Sequence, residues 1–320
     1  MTINLILTTV FSLIILLISA HFLIGNIVEL SKKINVSQFF IATVTLAIGT
    51  SIPELGASIK SVTSGYSGVA VGNLIGSNIA NVLLVVGLSA IIYPIKIFSE
   101  DIIKLEAVAS IFIVIFPAMF LLKLNSNESI MISIVALLLF IYFVKERIRL
   151  EKINKKKIII AKESIVFLIL KNIFLLAGLA LGAHFLINSS IKIAEIYVIS
   201  ERVIGLSLIA IGTSLPELII CAVAAIKKKQ GIAIGTILGS NMYNVLAMLS
   251  FFEIIENVTG EKTGAISKNI VKEDVLVLAL STLLIFIFIM YPKRNKNISR
   301  FEGSLLFFFY LIYIFWIYTS

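Results

Sequence analysis

Two segments of this chain repeat at a fixed offset of 163 residues, and each carries a carboxylate inside an apolar run. The first reads Gly49-Thr50-Ser51-Ile52-Pro53-Glu54, followed by Gly76-Ser77-Asn78-Ile79-Ala80-Asn81. The second reads Gly212-Thr213-Ser214-Leu215-Pro216-Glu217, followed by Gly239-Ser240-Asn241-Met242-Tyr243-Asn244. Aligned without gaps, residues 21–81 and 184–244 share 21 identities in 61 positions. These fall mostly on Gly, Thr, Ser, Pro, Glu and Asn, which a shared apolar background does not explain. The chain therefore reads as two related halves.

The surroundings of these segments are lipid-like. Hydrophobic residues make up 59% of the chain and charged residues 14%, with a mean hydropathy of +1.08. A water-soluble domain of this length cannot cover itself with so little polar surface. Runs of about 20 apolar residues match the thickness of a bilayer core. On that ruler the expected spans are 4–24, 38–64, 69–93, 103–122, 129–144, 164–189, 201–226, 232–255, 273–291 and 301–319. The expected fold is an all-α integral membrane protein of ten helices, broken at the midplane where the repeats lie. Residues 1–144 form a first five-helix repeat, 145–163 a basic cytoplasmic linker, and 164–320 a second repeat. Five spans per half is an odd number, so the second copy enters the membrane from the opposite side, as in transporters built from inverted repeats.

Charge placement sets the orientation. Lys32, Lys33, Lys96, Lys104, Lys227–Lys229, Lys293, Arg294, Lys296, Arg300 and the basic residues of the linker fall on one side. The other side holds Lys60, Lys123, Lys192, Arg202, Lys262, Lys268 and Lys272. The positive-inside rule then puts both termini outside the cell membrane. The net charge of +9 is thus a topology signal rather than a nucleic-acid footprint. Leu17-Ile18-Ser19-Ala20 resembles a signal-cleavage site, but no basic n-region precedes it. His21-Phe22-Leu23-Ile24 recurs as His184-Phe185-Leu186-Ile187, so the first helix is expected to be retained. Ser37 and Ser200, another repeat pair, are read as N-caps. Cys221 is read as a packing residue.

The repeated segments carry the chemistry. Proline lacks an N–H, so Pro53 should free the carbonyl of Gly49, and Pro216 that of Gly212. Irregular backbone at membrane depth is tolerated only where protein buries it or a wet cavity meets it. Thr50 and Glu54, Thr213 and Glu217, Ser77 and Asn81, and Ser240 and Asn244 are each four apart, so each pair shares a helix face. A charge at the bilayer centre costs about 2.5–3.5 kcal/mol on insertion scales. No Lys or Arg aligns beside either glutamate, leaving protonation or a bound cation to compensate. Hydroxyl, amide, carbonyl and carboxylate oxygens suit hard ions, and Ca2+ takes six to eight of them. Isolated Gly-Ser-Asn segments in membrane helices commonly serve packing alone. A glutamate repeated in both halves does not fit that role.

Together these motifs resemble the alpha repeats of the sodium/calcium exchanger family, and the ten-span plan resembles its prokaryotic members. The resemblance implies that Glu54, Glu217, Thr50 and Thr213 bind Ca2+. It further implies Na+ sites formed by Ser51, Ser77, Asn81, Ser214, Ser240, Asn244, the carbonyls of Ala47 and Ala210, and the same two glutamates. Transport would follow alternating access, with the first and sixth spans sliding over the remaining bundle. Several family members carry an aspartate at the position of Asn244, and the amide here argues against K+ co-binding. Many relatives also carry an acidic residue near the positions of His21 and His184. The chain is expected to exchange Na+ for Ca2+ as a monomer in lipid, with no cofactor and no enzymatic activity. Ca2+/H+ exchange through the same glutamates and a cation channel are the alternatives that the residues leave open.

Overall fold

A computed structural model of the chain describes residues 2–63, 67–96, 100–122, 125–153, 164–196, 210–259, 270–290 and 297–319. The protein is built almost wholly from helices. In chain order these are α1 (Thr2–Lys33), α2 (Gln38–Ile41, continued through Ala42–Leu46 and Ala47–Thr50), α3 (Ile52–Thr63) and α4 (Ser67–Ile92). After strand β1 (Ile95–Lys96) come α5 (Glu100–Phe120), α6 (Ser126–Ile153), α7 (Ile165–Ile196), α8 (Ala210–Thr213), α9 (Leu215–Ile226) and α10 (Gln230–Met242, continued to Thr259). Last are α11 (Lys272–Met290), strand β2 (Asn297–Ile298) and α12 (Arg300–Thr319).

Seven helical stretches among the described residues are long and apolar enough to cross a bilayer: α1, α2 with α3, α4, α6, α7, α10 and α12. The expected spans 103–122 and 273–291 coincide with single helices, α5 and α11. The expected span 201–226 is described from Ala210 onward, and Ser200 lies outside the described residues. Ser37 behaves as expected, its hydroxyl accepting from the Phe40 amide at 3.0 Å.

Burial is inverted relative to a soluble protein. Ile6, Leu7, Phe11, Ile18 and Phe22 on α1, and Phe308, Leu311 and Phe315 on α12, are exposed. Glu54, Asn78, Asn81, Glu217, Ser240 and Asn244 are instead fully enclosed. Lipid in place of water accounts for this, because apolar faces gain nothing by hiding from hydrocarbon while polar groups do. The most apolar windows of α4 and α10 are 78% and 83% buried, against 22% for α1, so those two helices form the core.

Small residues set how closely helices approach. A methyl group on Gly239 would run into the Thr43 carbonyl oxygen, so α10 rides directly on the backbone of α2. Along the other contact, α1 and α7 run antiparallel. Thr9 donates to Ser189 at 2.8 Å, Leu16 lies over Gly182 and Ser19 over Gly178, and Asn26 donates to the Leu168 carbonyl at 2.8 Å. The bounds of α7 are those of α1 shifted by 163.

Three features depart from the sequence expectation. Strands β1 and β2 pair antiparallel, Ile95 with Ile298 and Lys96 with Asn297, in an otherwise helical protein. Helix α6 runs nine residues into the basic segment, to Ile153. Within that stretch Arg147 is buried, its Nε and Nη2 donating to the Glu106 carboxylate at 2.7 and 2.6 Å. Arg147 is therefore a bidentate partner of α5 rather than a solvated loop charge.

Candidate functional site

Both repeated motifs interrupt a helix at the same place. Ser51 separates α2 from α3 with φ −84° and ψ 9°, and Ser214 separates α8 from α9 with φ −86° and ψ 8°. The interruption is one residue deep, because Leu55 N bonds the Ser51 carbonyl at 3.0 Å and Leu218 N bonds that of Ser214 at 3.0 Å. Glu54 and Glu217 thereby sit in the first turns of twelve-residue helices. Unsatisfied amides at such a terminus favour negative charge. The turns that end at Thr50 and Thr213 bring carbonyl ends to the same place, which favours positive charge.

The two halves meet through these side chains. Ser51 Oγ lies 3.3 Å from Glu217 Oε1, and Ser240 Oγ lies 3.3 Å from the same oxygen. Ser240 is also 3.5 Å from Thr50 Oγ1 and 3.3 Å from the Ala47 carbonyl oxygen. Thr50 donates to Ala47 O at 3.2 Å. From the other half, Thr213 donates to Asn73 Oδ1 at 3.0 Å, and Asn73 donates to the Glu54 carbonyl at 3.2 Å and to Ser58 at 3.1 Å. Among the described residues the ion pairs are Arg147–Glu106 and Arg149–Glu146, so neither buried glutamate has a cationic side chain beside it.

The accounting of polar atoms is lopsided. Glu54 Oε1 and Oε2, Ser77 Oγ, Asn81 Oδ1, Ser214 Oγ, Glu217 Oε2 and Asn244 Oδ1 are all buried without a hydrogen-bond partner. All seven are oxygens of the two repeated motifs, while other buried unpartnered atoms, such as Asn26 Oδ1, Ser89 Oγ and Asn172 Oδ1, lie elsewhere among the described residues. Buried polar atoms are nearly always satisfied, and unsatisfied acceptors that include carboxylates from both halves have the chemistry of a hard-cation site.

Of the residues expected at the site, Glu217, Ser51, Ser240, Thr50 and Ala47 are joined in one bonded cluster, whereas Glu54 has an unpartnered carboxylate and only its backbone carbonyl is linked, through Asn73, to Thr213. Ser77 and Ser214 have unpartnered hydroxyls, and Asn81 and Asn244, whose amide oxygens are unpartnered, bond through their nitrogens to Asn241 and Asn78 rather than to either glutamate. Ala210 opens α8. His21 and His184 are exposed, edge-on to Phe22 and Phe185, so they stand apart from the cluster. Cys221 is buried, its thiol 3.4 Å from the Ala233 carbonyl.

Sequence reasoning missed two parts of the site. Asn73 bridges the halves, yet its repeat mate is Thr236, so no symmetry signal marks it. Widened π-helical turns occupy Ala42–Leu46, Asn81–Val86 and Tyr243–Leu249. The latter two begin at or beside Asn81 and Asn244. Such turns collect at functional sites because the extra residue re-aims side chains.

The family model described as sodium/calcium exchanger protein matches residues 4–145 and 167–319. An uncharacterised membrane protein of Methanocaldococcus jannaschii is 33% identical over 301 residues, covering 92% of each chain. The sodium/calcium exchanger MaX1 of Methanosarcina acetivorans is 28% identical, covering 94% of this chain and 95% of its own. The solved structure of the sodium-calcium exchanger NCX_Mj soaked with Na+ and Sr2+ superposes with a TM-score of 0.81 at 29% identity, over 98% of both chains. This chain, a membrane transporter and not an enzyme, belongs to the sodium/calcium exchanger family.

Proposed function

We propose that this protein is a secondary antiporter of the cell membrane that exchanges Na+ for Ca2+ at one shared site near the midplane. The observation that carries this reading is that Glu54 and Glu217, one from each half, are fully buried and keep unpartnered carboxylate oxygens, while the described residues put no ion pair on either. Ca2+ is held by Glu54, Glu217, Thr50 and Thr213. Na+ ions take the same glutamates with Ser51, Ser77, Asn81, Ser214, Ser240, Asn244 and the carbonyls of Ala47 and Ala210. Two carboxylates carry a charge of minus two, which one Ca2+ or a pair of Na+ neutralises. They do not accept both loads at once, and that exclusion couples the fluxes.

The architecture behind this is ten spans in two inverted repeats, 1–144 and 164–320, joined by the cytoplasmic segment 145–163, with both termini outside. Supporting the inversion, α1 and α7 are repeat mates that pack antiparallel. A twofold axis relating two antiparallel helices lies across them, in the plane of the membrane when both helices cross it. Alternating access follows from α1 and α7 sliding over the rest. In support, Leu176 of α7 covers Gly49 and Ile187 of the same helix covers Gly212, so one helix touches both interruptions. The protein works as a monomer in lipid, because both halves of the site lie in one chain.

The test is Ca2+ uptake into proteoliposomes with Na+, K+ and H+ gradients imposed one at a time. Uptake driven by an outward Na+ gradient, and by neither of the others, supports Na+/Ca2+ exchange. Uptake driven by the pH gradient alone replaces it with Ca2+/H+ antiport. Unitary currents in a planar bilayer overturn a carrier altogether.

A further inference from the structure

Four asparagines link α4 and α10 in one hydrogen-bonded circuit with Asn81 and Asn244 at its ends. Asn78 Nδ2 donates to the Asn241 backbone carbonyl at 2.9 Å, and Asn241 Nδ2 donates to the Asn78 carbonyl at 3.4 Å. Asn81 Nδ2 donates to Asn241 Oδ1 at 2.9 Å, and Asn244 Nδ2 donates to Asn78 Oδ1 at 3.1 Å. All four side chains are at least nine-tenths buried.

This circuit has a direction. A backbone carbonyl only accepts, so the amide nitrogens of Asn78 and Asn241 must face the carbonyls. Their oxygens are then forced toward Asn244 and Asn81, which must answer with their own nitrogens. The oxygens of Asn81 and Asn244 are turned the other way, where they are buried and unpartnered. A free amide in that position has two faces, and its NH2 face would repel a cation.

We propose that Asn78 and Asn241 are positioning residues that hold Asn81 and Asn244 with their carbonyl oxygens toward the transported Na+. The control is crossed: Asn78 of the first half orients Asn244 of the second, and Asn241 orients Asn81. Each half thereby sets an ion ligand of the other, and the site presents two neutral oxygens beside its two carboxylates. This rests on the Na+/Ca2+ reading above and adds residues outside that ion-ligand set. Partners of this kind are worth about 10-fold to 100-fold in ion affinity where they orient ligands.

The test is ion-dependent thermal stabilisation of the purified full-length protein in detergent, titrated separately with NaCl and CaCl2 at constant ionic strength. In Asn78→Ala and Asn241→Ala the Na+ midpoint is expected to rise about tenfold, while the Ca2+ midpoint stays within about twofold because Ca2+ uses the glutamates and threonines. Asn78→Asp is the conservative rescue. A buried carboxyl that faces a backbone carbonyl oxygen rather than an ion stays protonated, accepts from Asn244 Nδ2 and donates to the Asn241 carbonyl. At pH 6 its Na+ midpoint should remain near that of the wild type. Where alanine leaves too little folded protein, Asn78→Ser and Asn241→Ser, whose hydroxyls stop short of the partner amides, carry the same expectation. A wild type that responds to neither ion overturns the exchange reading and this inference with it. A responsive wild type overturns this inference alone if the variants keep its Na+ midpoint, if both ions weaken equally, or if Asn78→Asp fails like alanine.

Discussion

Asn78 and Asn241 lie 163 residues apart and each donates to the backbone carbonyl oxygen of the other. Exchange of both bonds under the repeat offset is the relation a local twofold axis produces, as at a symmetric dimer contact. Two half-sites that meet in this way each supply one buried glutamate in the first turn of a helix. The same relation supports the crossed dependence of each half on the other.

Removing either acid should therefore disable the whole site. Glu54→Gln and Glu217→Gln keep side-chain shape and lose charge, so Ca2+ transport is expected to fall at least about 100-fold, near 2.7 kcal/mol. Folding should survive, since both carboxylates retain unpartnered oxygens in the native protein. Initial 45Ca2+ uptake rates and size-exclusion profiles of the two variants check this together. Near wild-type flux from either one contradicts its assigned role.

Bound cation should stabilise the protein by mass action. Ca2+ at about 100 times its dissociation constant is expected to add about 2.7 kcal/mol, and chelation should remove it. Melting curves with and without chelator read the shift. It should vanish in Glu54→Gln.

Helix contact at Gly239 leaves no room for a side chain. Gly239→Ala would push a methyl into the Thr43 carbonyl, a backbone atom that cannot turn aside, at an expected cost of about 1–3 kcal/mol. Gly25 on α1 meets nothing within 4 Å, so Gly25→Ala should be neutral or stabilising by up to about 1 kcal/mol. Comparing the two melting temperatures separates close approach from general intolerance of change.

The Arg147–Glu106 pair joins α6 to α5, with both side chains 4% exposed. Glu106→Gln leaves the guanidinium uncompensated and should cost about 3–5 kcal/mol. The double substitution Glu106→Gln with Arg147→Met should recover much of that loss. A thermal double-mutant cycle measures the coupling.

Much of the proposed site is legible in the sequence because its chemistry is repeated. Glu54 and Glu217 stand out as acids in apolar runs, and of the hydroxyls quoted beside them Ser51 and Ser240 meet Glu217. Pro53 and Pro216 located the interrupted helices within two residues of Ser51 and Ser214. What escaped has physical reasons. A π turn adds one residue without altering the apolar pattern, so the widened turns from Asn81 and Tyr243 leave no periodic trace. Asn78 and Asn241 belong to the quoted motif, but their part depends on which atom faces a backbone carbonyl across the helix contact, and spacing along one helix cannot report that. Arg147 sits in a basic run and counts as a topology signal until tertiary structure brings Glu106 to it. Strands β1 and β2 are two residues each, too short to register as alternation.

The central claim is that two carboxylates from opposite halves make one cation site shared by both ions. Equilibrium 45Ca2+ binding to purified protein, with Na+ as competitor, tests it most directly. The account predicts one Ca2+ per chain, displaced by Na+ and lost in both Glu54→Gln and Glu217→Gln. Two independent Ca2+ sites, or binding that persists in either single variant and ignores Na+, would contradict it.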